Sequence, residues 1–433
     1  MTRPIHYLLF VILSVMIGAC KTGPKTPGPS KVELKKNALG QHRLYVDGEE
    51  FYVKGAGCEG GDVAALAAHG ANSFRTWMDQ EIRPTEQSVL DDAQENGLKV
   101  LMGLEVGRER HGFDYNDEAW VAAQFDTIKA KVLRYKDHPA LLGWIIGNEI
   151  NLGARNLKVF DAVNDISKMI HEVDPNHVTT FTLAGIGKRD VDYIKEHCTD
   201  VDFISIQMYA DIENLAQRIA DAGWEGPYMV TEWGATGHWE VAKTEWGVAI
   251  EPTSQEKANS FVRRYDAAIA ADPFNCMGSY AFLWGQKQER TPTWYGMFLE
   301  NGNETEVVDA MHLIWNGEWP ANRCPTLDSL RLNGLRAYDN VKLKTGGTFT
   351  AEVFAKDYEG DSLAYRWEIL PESTDLGWGG DFENRPDTFF SVEGTAGMEL
   401  EVPKVPGPYR LFIYVTDPGN KSATANIPFL VEG

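Results

Sequence analysis

Residues 141–150 read LLGWIIGNEI and residues 228–233 read YMVTEW. Each is a short apolar run closing on a glutamate: Glu149 follows Asn148 in the first, and Glu232 precedes Trp233 in the second. A strand covered on both faces, as in a parallel sheet, reads as a continuous apolar run. A carboxylate at its end is costly to bury without a partner, so both positions are candidate site positions.

Working outward, the same texture recurs at 51–57, 72–77, 99–106, 178–184, 203–209 and 277–284. Longer stretches lie between, such as 117–135, 157–173 and 255–271, with apolar residues at three- and four-residue spacing, the mark of a helix with one buried face. Eight such units predict an α/β protein in which a (β/α)8 TIM barrel closes over residues 31–320, rather than an open doubly wound sheet. In a barrel of this kind the site is built at the C-terminal ends of the strands. Glu149 ends the fourth strand and Glu232 the seventh, so both carboxylates are expected at one mouth. A pair of this kind suits cleavage of a glycosidic bond, one carboxyl donating a proton to the leaving oxygen and the other attacking or stabilising the anomeric carbon. Ahead of the first strand, residues 43–54 alternate around Asp47-Gly48, a hairpin signal expected to cap the bottom of the barrel.

After Trp319 the helical pattern stops. Alternating runs at 348–356, 363–369 and 409–416, punctuated by Asp361, Pro406-Gly407 and Pro418-Gly419, predict a second domain at 323–433, an antiparallel β-sandwich of Ig-like type. The chain has 433 residues, enough for both units, and 43% of them are hydrophobic. A net charge of −22 argues against nucleic acid or anionic lipid as a ligand and leaves a neutral polymer open. The 13 Trp, 16 Tyr and 19 Phe supply flat apolar rings on which sugar faces can stack, although most belong in cores.

The first residues predict a signal segment at 1–19, with an apolar run too short for a permanent span, followed by Gly18-Ala19-Cys20, which resembles a bacterial lipobox. Cys20 is the expected lipidation site, residues 20–30 a Pro- and Gly-rich tether, and the outer membrane of a bacterium the expected location, with membrane contact through the anchor alone. Cys58, Cys198, Cys276 and Cys324 lack metal-site spacing, and no metal or cofactor is called for; export leaves a disulfide open among the three pairings that four thiols allow, and buried free thiols are the expectation at Cys58 and Cys276.

The segments WIIGNEI and VTEWGA resemble the strand-four and strand-seven motifs of the large clan of retaining glycosidases that includes cellulases, mannanases, β-galactosidases and β-1,3-glucanases. The resemblance implies Glu149 as acid/base and Glu232 as nucleophile. It also implies that Asn148 donates to the sugar 2-OH, that Arg75 holds the charge of Glu232, that Tyr209 donates to Glu232, and that Trp284 floors the subsite beside the scissile bond. Glu105, at the end of the third strand, stands where many members carry His or Asn; it would contact sugar hydroxyls or pair with Arg108 or Arg110. Trp77, His111, His238, Trp239 and Trp294 are candidate sugar contacts on loops over the same face. The two-part layout looks most like the bacterial endo-β-1,3-glucanases of glycoside hydrolase family 158, which implies retaining endo-hydrolysis of a β-linked polysaccharide or oligosaccharide. An exo-β-glycosidase, a β-mannanase and a β-glucanosyltransferase are alternatives on the same site. A surface glycan-binding lipoprotein is the alternative outside enzymes, and it has no need to keep Asn148, Glu149, Tyr209 and Glu232 together.

Other signals weigh less. His171, Asp174 and His177 have the look of metal ligands but fall between a helix and the next strand, on the stability face of a barrel. The glycine run 55–61 lacks the Lys-Ser/Thr of a phosphate loop and reads as a tight turn. Asp357, Glu359 and Asp361 read as a solvated turn.

Overall fold

The computed structural model describes residues 28–77 and 85–433; Cys20, the segment 1–19 and most of the tether lie outside the described residues. Eight parallel strands close into a barrel: β1 (Val53–Gly57), β2 (Ser73–Arg75), β3 (Lys99–Leu104), β4 (Leu141–Ile146), β5 (Val178–Ala184), β6 (Phe203–Gln207), β7 (Tyr228–Glu232) and β8 (Cys276–Ala281). Each pairs with the next in sequence, and the ring shuts where Gly278 to Ala281 lie beside Val53 to Ala56. That closure needs a glycine. A Cβ on Gly278, whose φ is +118°, would stand 2.1 Å from the carbonyl oxygen of Val53.

The strands are buried almost throughout, and amphipathic helices such as Glu118–Tyr135, Lys158–Val173 and Ser254–Arg264 pack around them. Local chemistry sets the helix ends. Thr253 caps Ser254–Arg264 through a reciprocal box with Glu256, which satisfies two otherwise orphaned N–H groups. Below the barrel, strands Val32–Lys36, His42–Val46 and Glu49–Phe51 form a small antiparallel sheet turning at Asp47 and Gly48, both at positive φ. Its Val32, Leu44 and Val46 pack with Leu101, Ile145, Phe203, Met229 and Met277 and so plug the barrel floor. Near them His177 bonds to Asp174 at 2.9 Å, and Asp174 also accepts from the Trp144 indole at 2.8 Å. His171 turns away to Asp202. These side chains serve packing at the barrel's lower rim.

Beyond the barrel come β9 (Thr326–Leu332), β10 (Lys342–Lys344), β11 (Thr348–Lys356), β12 (Ala364–Pro371), β13 (Phe390–Gly394), β14 (Gly397–Glu401), β15 (Gly407–Thr416) and β16 (Lys421–Glu432). One sheet runs β16-β15-β12-β13 and the other β9-β11-β14. They share one apolar cluster, in which Leu330, Phe349 and Leu400 meet Trp367, Ile413 and Phe429. The expected all-antiparallel pairing needs correction. β16 pairs in parallel with β10 at one end and with the barrel segment Glu304–Thr305 at the other. The larger sheet therefore continues into the barrel polypeptide. Lys421 reaches Glu304 and Asp309 at 2.6 Å each, and Asn426 donates to Glu251 at 2.7 Å. Cys58, Cys198, Cys276 and Cys324 are buried, and none of them forms a disulfide among the described residues. Asp357 accepts from the N–H groups of Glu359 and Asp361, which makes this acidic run a turn closed on itself.

Candidate active site

A cleft of about 1680 Å³ opens at the C-terminal ends of the barrel strands, lined by Glu149 and Glu232 together with Arg75, Trp77, Glu105, Asn148, Tyr209, His238 and Trp239. The volume exceeds the roughly 300–1,000 Å³ of a small-molecule site. After β4 the chain turns sharply, with Gly147 at φ +78° and Glu149 at φ +48°. Left-handed backbone at a non-glycine residue is strained and is held here by bonds around it. The Glu149 N–H donates to the Thr182 hydroxyl at 2.7 Å, and Thr182 sits on neighbouring β5.

Glu232, which ends β7, is buried among three donors. The Trp77 indole donates to Oε1 at 2.6 Å, the Arg75 guanidinium lies 3.3 Å from the same oxygen, and the Tyr209 hydroxyl donates to Oε2 at 3.1 Å. Both oxygens are thereby fixed in direction. Arg75 is fully buried, also donates to the Thr231 carbonyl, and places its other Nη 2.9 Å from Asn148 Oδ1. Burial opposes its charge, and Glu232 and then Glu149 favour it. Gln207, at the end of β6, donates to the same Asn148 oxygen at 2.8 Å. These donors, with the Thr182 hydroxyl at 3.4 Å, converge on Oδ1, define the amide's orientation and leave Nδ2 as the Asn148 atom available to a ligand.

The two glutamates differ in environment. Glu149 keeps part of its surface in the cleft, yet burial, reinforced by the charge of Glu232, pushes its carboxyl up to about 8 despite Arg110, Arg108 and Arg75. It is therefore protonated at neutral pH. Burial and then the charge of Glu232 also raise the Tyr209 phenol well above its ordinary value, so it stays a donor. One protonated carboxyl beside a second carboxylate held by three donors is the arrangement that assigns acid and base roles by environment.

Two expected sugar contacts lie elsewhere. Trp284 is fully buried, donates to the Asp62 carbonyl at 2.8 Å and packs against His69, Phe298 and Trp315. The resemblance put Trp284 at the end of the eighth strand, but β8 stops at Ala281, and Phe282 lines the cleft instead. Trp294 is also fully buried and donates to the Thr236 carbonyl. Trp239 stands out in the cleft at 56% exposure, edge-on to Tyr209. His238 faces Glu289 at 3.5 Å and is anchored by its N–H to the Tyr295 hydroxyl. Glu105 is exposed on the wall, while Arg110, an expected partner for it, is committed to Asp381 together with His111.

That last contact reveals what the sequence hid. Residues 377–385, from the connection between β12 and β13, line the barrel cleft. Gln207 is another omission; its polar side chain at the end of a buried strand was a usable signal.

Residues 60–244, which include both glutamates, match the family described as "Glycosyl hydrolases family 2, TIM barrel domain". Over this stretch the barrel is similar to glycoside hydrolase barrels. A β-galactosidase from Arthrobacter sp. (strain B7) is 32% identical over 121 residues, 25% of this chain and 11% of that protein. The probable mannan endo-1,4-β-mannosidase A of Aspergillus oryzae is 25% identical over 170 residues, 35% of this chain and 42% of that protein. This chain thus spans less than half the length of either curated relative. Among solved structures, an FMN-binding β-glucuronidase from Facaelibacterium prausnitzii L2-6 superposes with a TM-score of 0.50 at 13% identity, covering 93% of this chain and 59% of its own. The Bifidobacterium dentium β-glucuronidase gives 0.50 at 18% identity, covering 66% and 49%. At these identities the structural likeness speaks for the fold.

Proposed function

We propose that the barrel is a glycoside hydrolase that cleaves a β-linked glucan, β-1,3-linked in the first instance, from within the chain and with retention, Glu149 acting as acid/base and Glu232 as nucleophile. The observation that carries the reading is the split environment of the two carboxyls in one cleft: Glu149 raised to about 8 by burial and by Glu232, and Glu232 oriented by Arg75, Trp77 and Tyr209. Glu149 protonates the departing glycosidic oxygen while Glu232 attacks the anomeric carbon, giving a glycosyl-enzyme. Glu149, now ionised, takes a proton from the incoming water, which releases the sugar and restores both groups. The free Nδ2 of Asn148 is placed to donate to the sugar 2-OH, a bond that strengthens in the transition state. Glu105, His238 and Trp239 contribute contacts on the cleft wall. The resemblance to family 158 and the size of the cleft support an endo-acting enzyme on a polymer.

The similarity to mannan endo-β-mannosidases supports a second reading, β-mannan hydrolysis on the same carboxylates. Export as a lipoprotein through Cys20 belongs to the proposal, since an anchored enzyme would meet its polymer outside the cytoplasm. Incubation with laminarin, mannan and cellulose, with product lengths profiled, tests the substrate. Release of a ladder of β-1,3-oligosaccharides is expected; a mannan ladder alone would replace the glucan reading with the second, and monosaccharide as the sole early product would replace endo with exo action.

A further inference from the structure

The connection between β12 and β13 is built onto the barrel mouth. On one side, Arg290 donates to the buried Glu383 carboxylate through both its backbone N–H, at 2.6 Å, and its guanidinium, at 2.7 Å. Lys287 donates to the Gly380 carbonyl at 2.7 Å. These two residues follow β8. On the other side, the Arg110 side chain, only 4% exposed, donates to the carbonyls of Trp378 and Gly379 and to both oxygens of Asp381. Arg110 follows β3. The segment thus bridges two parts of the rim.

The approach is close enough to need glycines at the contact. A Cβ on Gly153 would stand 2.8 Å from the Trp378 ring, and one on Gly379 would stand 2.8 Å from Leu152 and 2.9 Å from Arg110. Trp378 nevertheless remains 57% exposed and Phe382 78% exposed, both lining the cleft that holds Glu149 and Glu232. The Arg110 guanidinium lies 5.1 Å from the Trp378 ring centre, a cation–π contact that backs the indole and helps set its direction. A large aromatic ring fixed by a buried arginine, yet left open to the cavity, is costly in water and suits the apolar face of a ligand.

We propose that residues 377–385 of the C-terminal unit form a wall of the substrate cleft, and that Trp378 is a stacking platform for a pyranose ring of the bound glycan, away from the scissile bond. Gly153 lies four residues after Glu149, so the platform stands on the proton-donor side of the cleft. The C-terminal unit then takes part in substrate selection, and its contribution grows with the length of the sugar chain. This rests on the glucan-hydrolase reading above.

The test compares wild type, Trp378→Ala and Trp378→Phe in the full chain on β-1,3-gluco-oligosaccharides from the disaccharide to the hexasaccharide. For the alanine variant, the loss in kcat/KM should increase with length. At the hexasaccharide it should exceed the disaccharide loss by about tenfold or more, carried by KM, and the phenylalanine variant should recover most of it. An equal loss at every length, or none, overturns the platform. If wild type ignores these sugars but cleaves β-manno-oligosaccharides, the glucan reading falls and the same length series on mannan decides the platform. Binding gives a readout that needs no turnover. In a Glu232→Gln background, hexasaccharide should shift tryptophan fluorescence, and adding Trp378→Ala should weaken that affinity by a similar factor; unchanged affinity overturns the proposal.

Discussion

Glu149 sits at a sharp turn after β4, with a left-handed backbone, an N–H tied to Thr182, and a carboxyl that burial and the neighbouring Glu232 keep protonated up to about 8. Its raised value has a direct kinetic sign. As the proposed proton donor, Glu149 is loaded below about 8 and empties above it, so kcat/KM should hold through neutral pH and fall on the alkaline side. Replacing Glu149 with Ala should lower kcat by about 10²–10⁴-fold on a natural substrate, the usual range for a lost general acid. It should also remove the alkaline limb for an activated aryl glycoside, whose turnover azide should partly restore. A pH–rate profile of wild type and variant with and without azide checks this; an unchanged alkaline limb in the variant would assign it to another group. At this scale much was legible from sequence. Glu149, Glu232, Asn148, Arg75 and Tyr209 all stood at the ends of apolar strands, where polar side chains are conspicuous, and all line the cleft. Trp284 was misplaced because an apolar residue beyond a strand end gives no sign of which way it turns.

The eight barrel strands were readable as apolar runs, but their ends were less so. The runs at 99–106, 203–209 and 277–284 continue past the observed strand ends at Leu104, Gln207 and Ala281, because residues such as Val106, Met208 and Phe282 go on to line the cleft and rim with apolar surface. Apolarity reports burial, and burial persists after the hydrogen-bond ladder stops. Gly278 marks where element geometry is least forgiving. A methyl there would meet the Val53 carbonyl in the β8–β1 seam, in a backbone conformation that side chains rarely adopt. Gly278→Ala should therefore cost about 3 kcal/mol or more. Gly317→Ala, at a helix end with positive φ but open space, should cost only about 1 kcal/mol. Urea denaturation of the two variants gives the comparison, and equal costs would mean that the seam relaxes around the methyl.

Across the whole molecule, the second unit is joined to the barrel through Lys421, Asn426 and the shared strand Glu304–Thr305, and it also borders the cleft through residues 377–385. The existence of that unit was legible from the loss of helical pattern after Trp319. Its reach over the barrel was not, since contacts between Arg110 and Asp381 or between Arg290 and Glu383 link residues too far apart in sequence for any local pattern to show. The proposed catalysis depends on how Glu149 and Glu232 divide their work. Treatment with a 2-deoxy-2-fluoro β-glucosyl oligosaccharide bearing an activated leaving group, followed by peptide mass spectrometry, tests this most directly, because slowed deglycosylation accumulates the covalent intermediate. A glycosyl adduct on Glu232 is the predicted result; an adduct on Glu149 or another residue, or steady turnover of the reagent with no adduct formed, would contradict it.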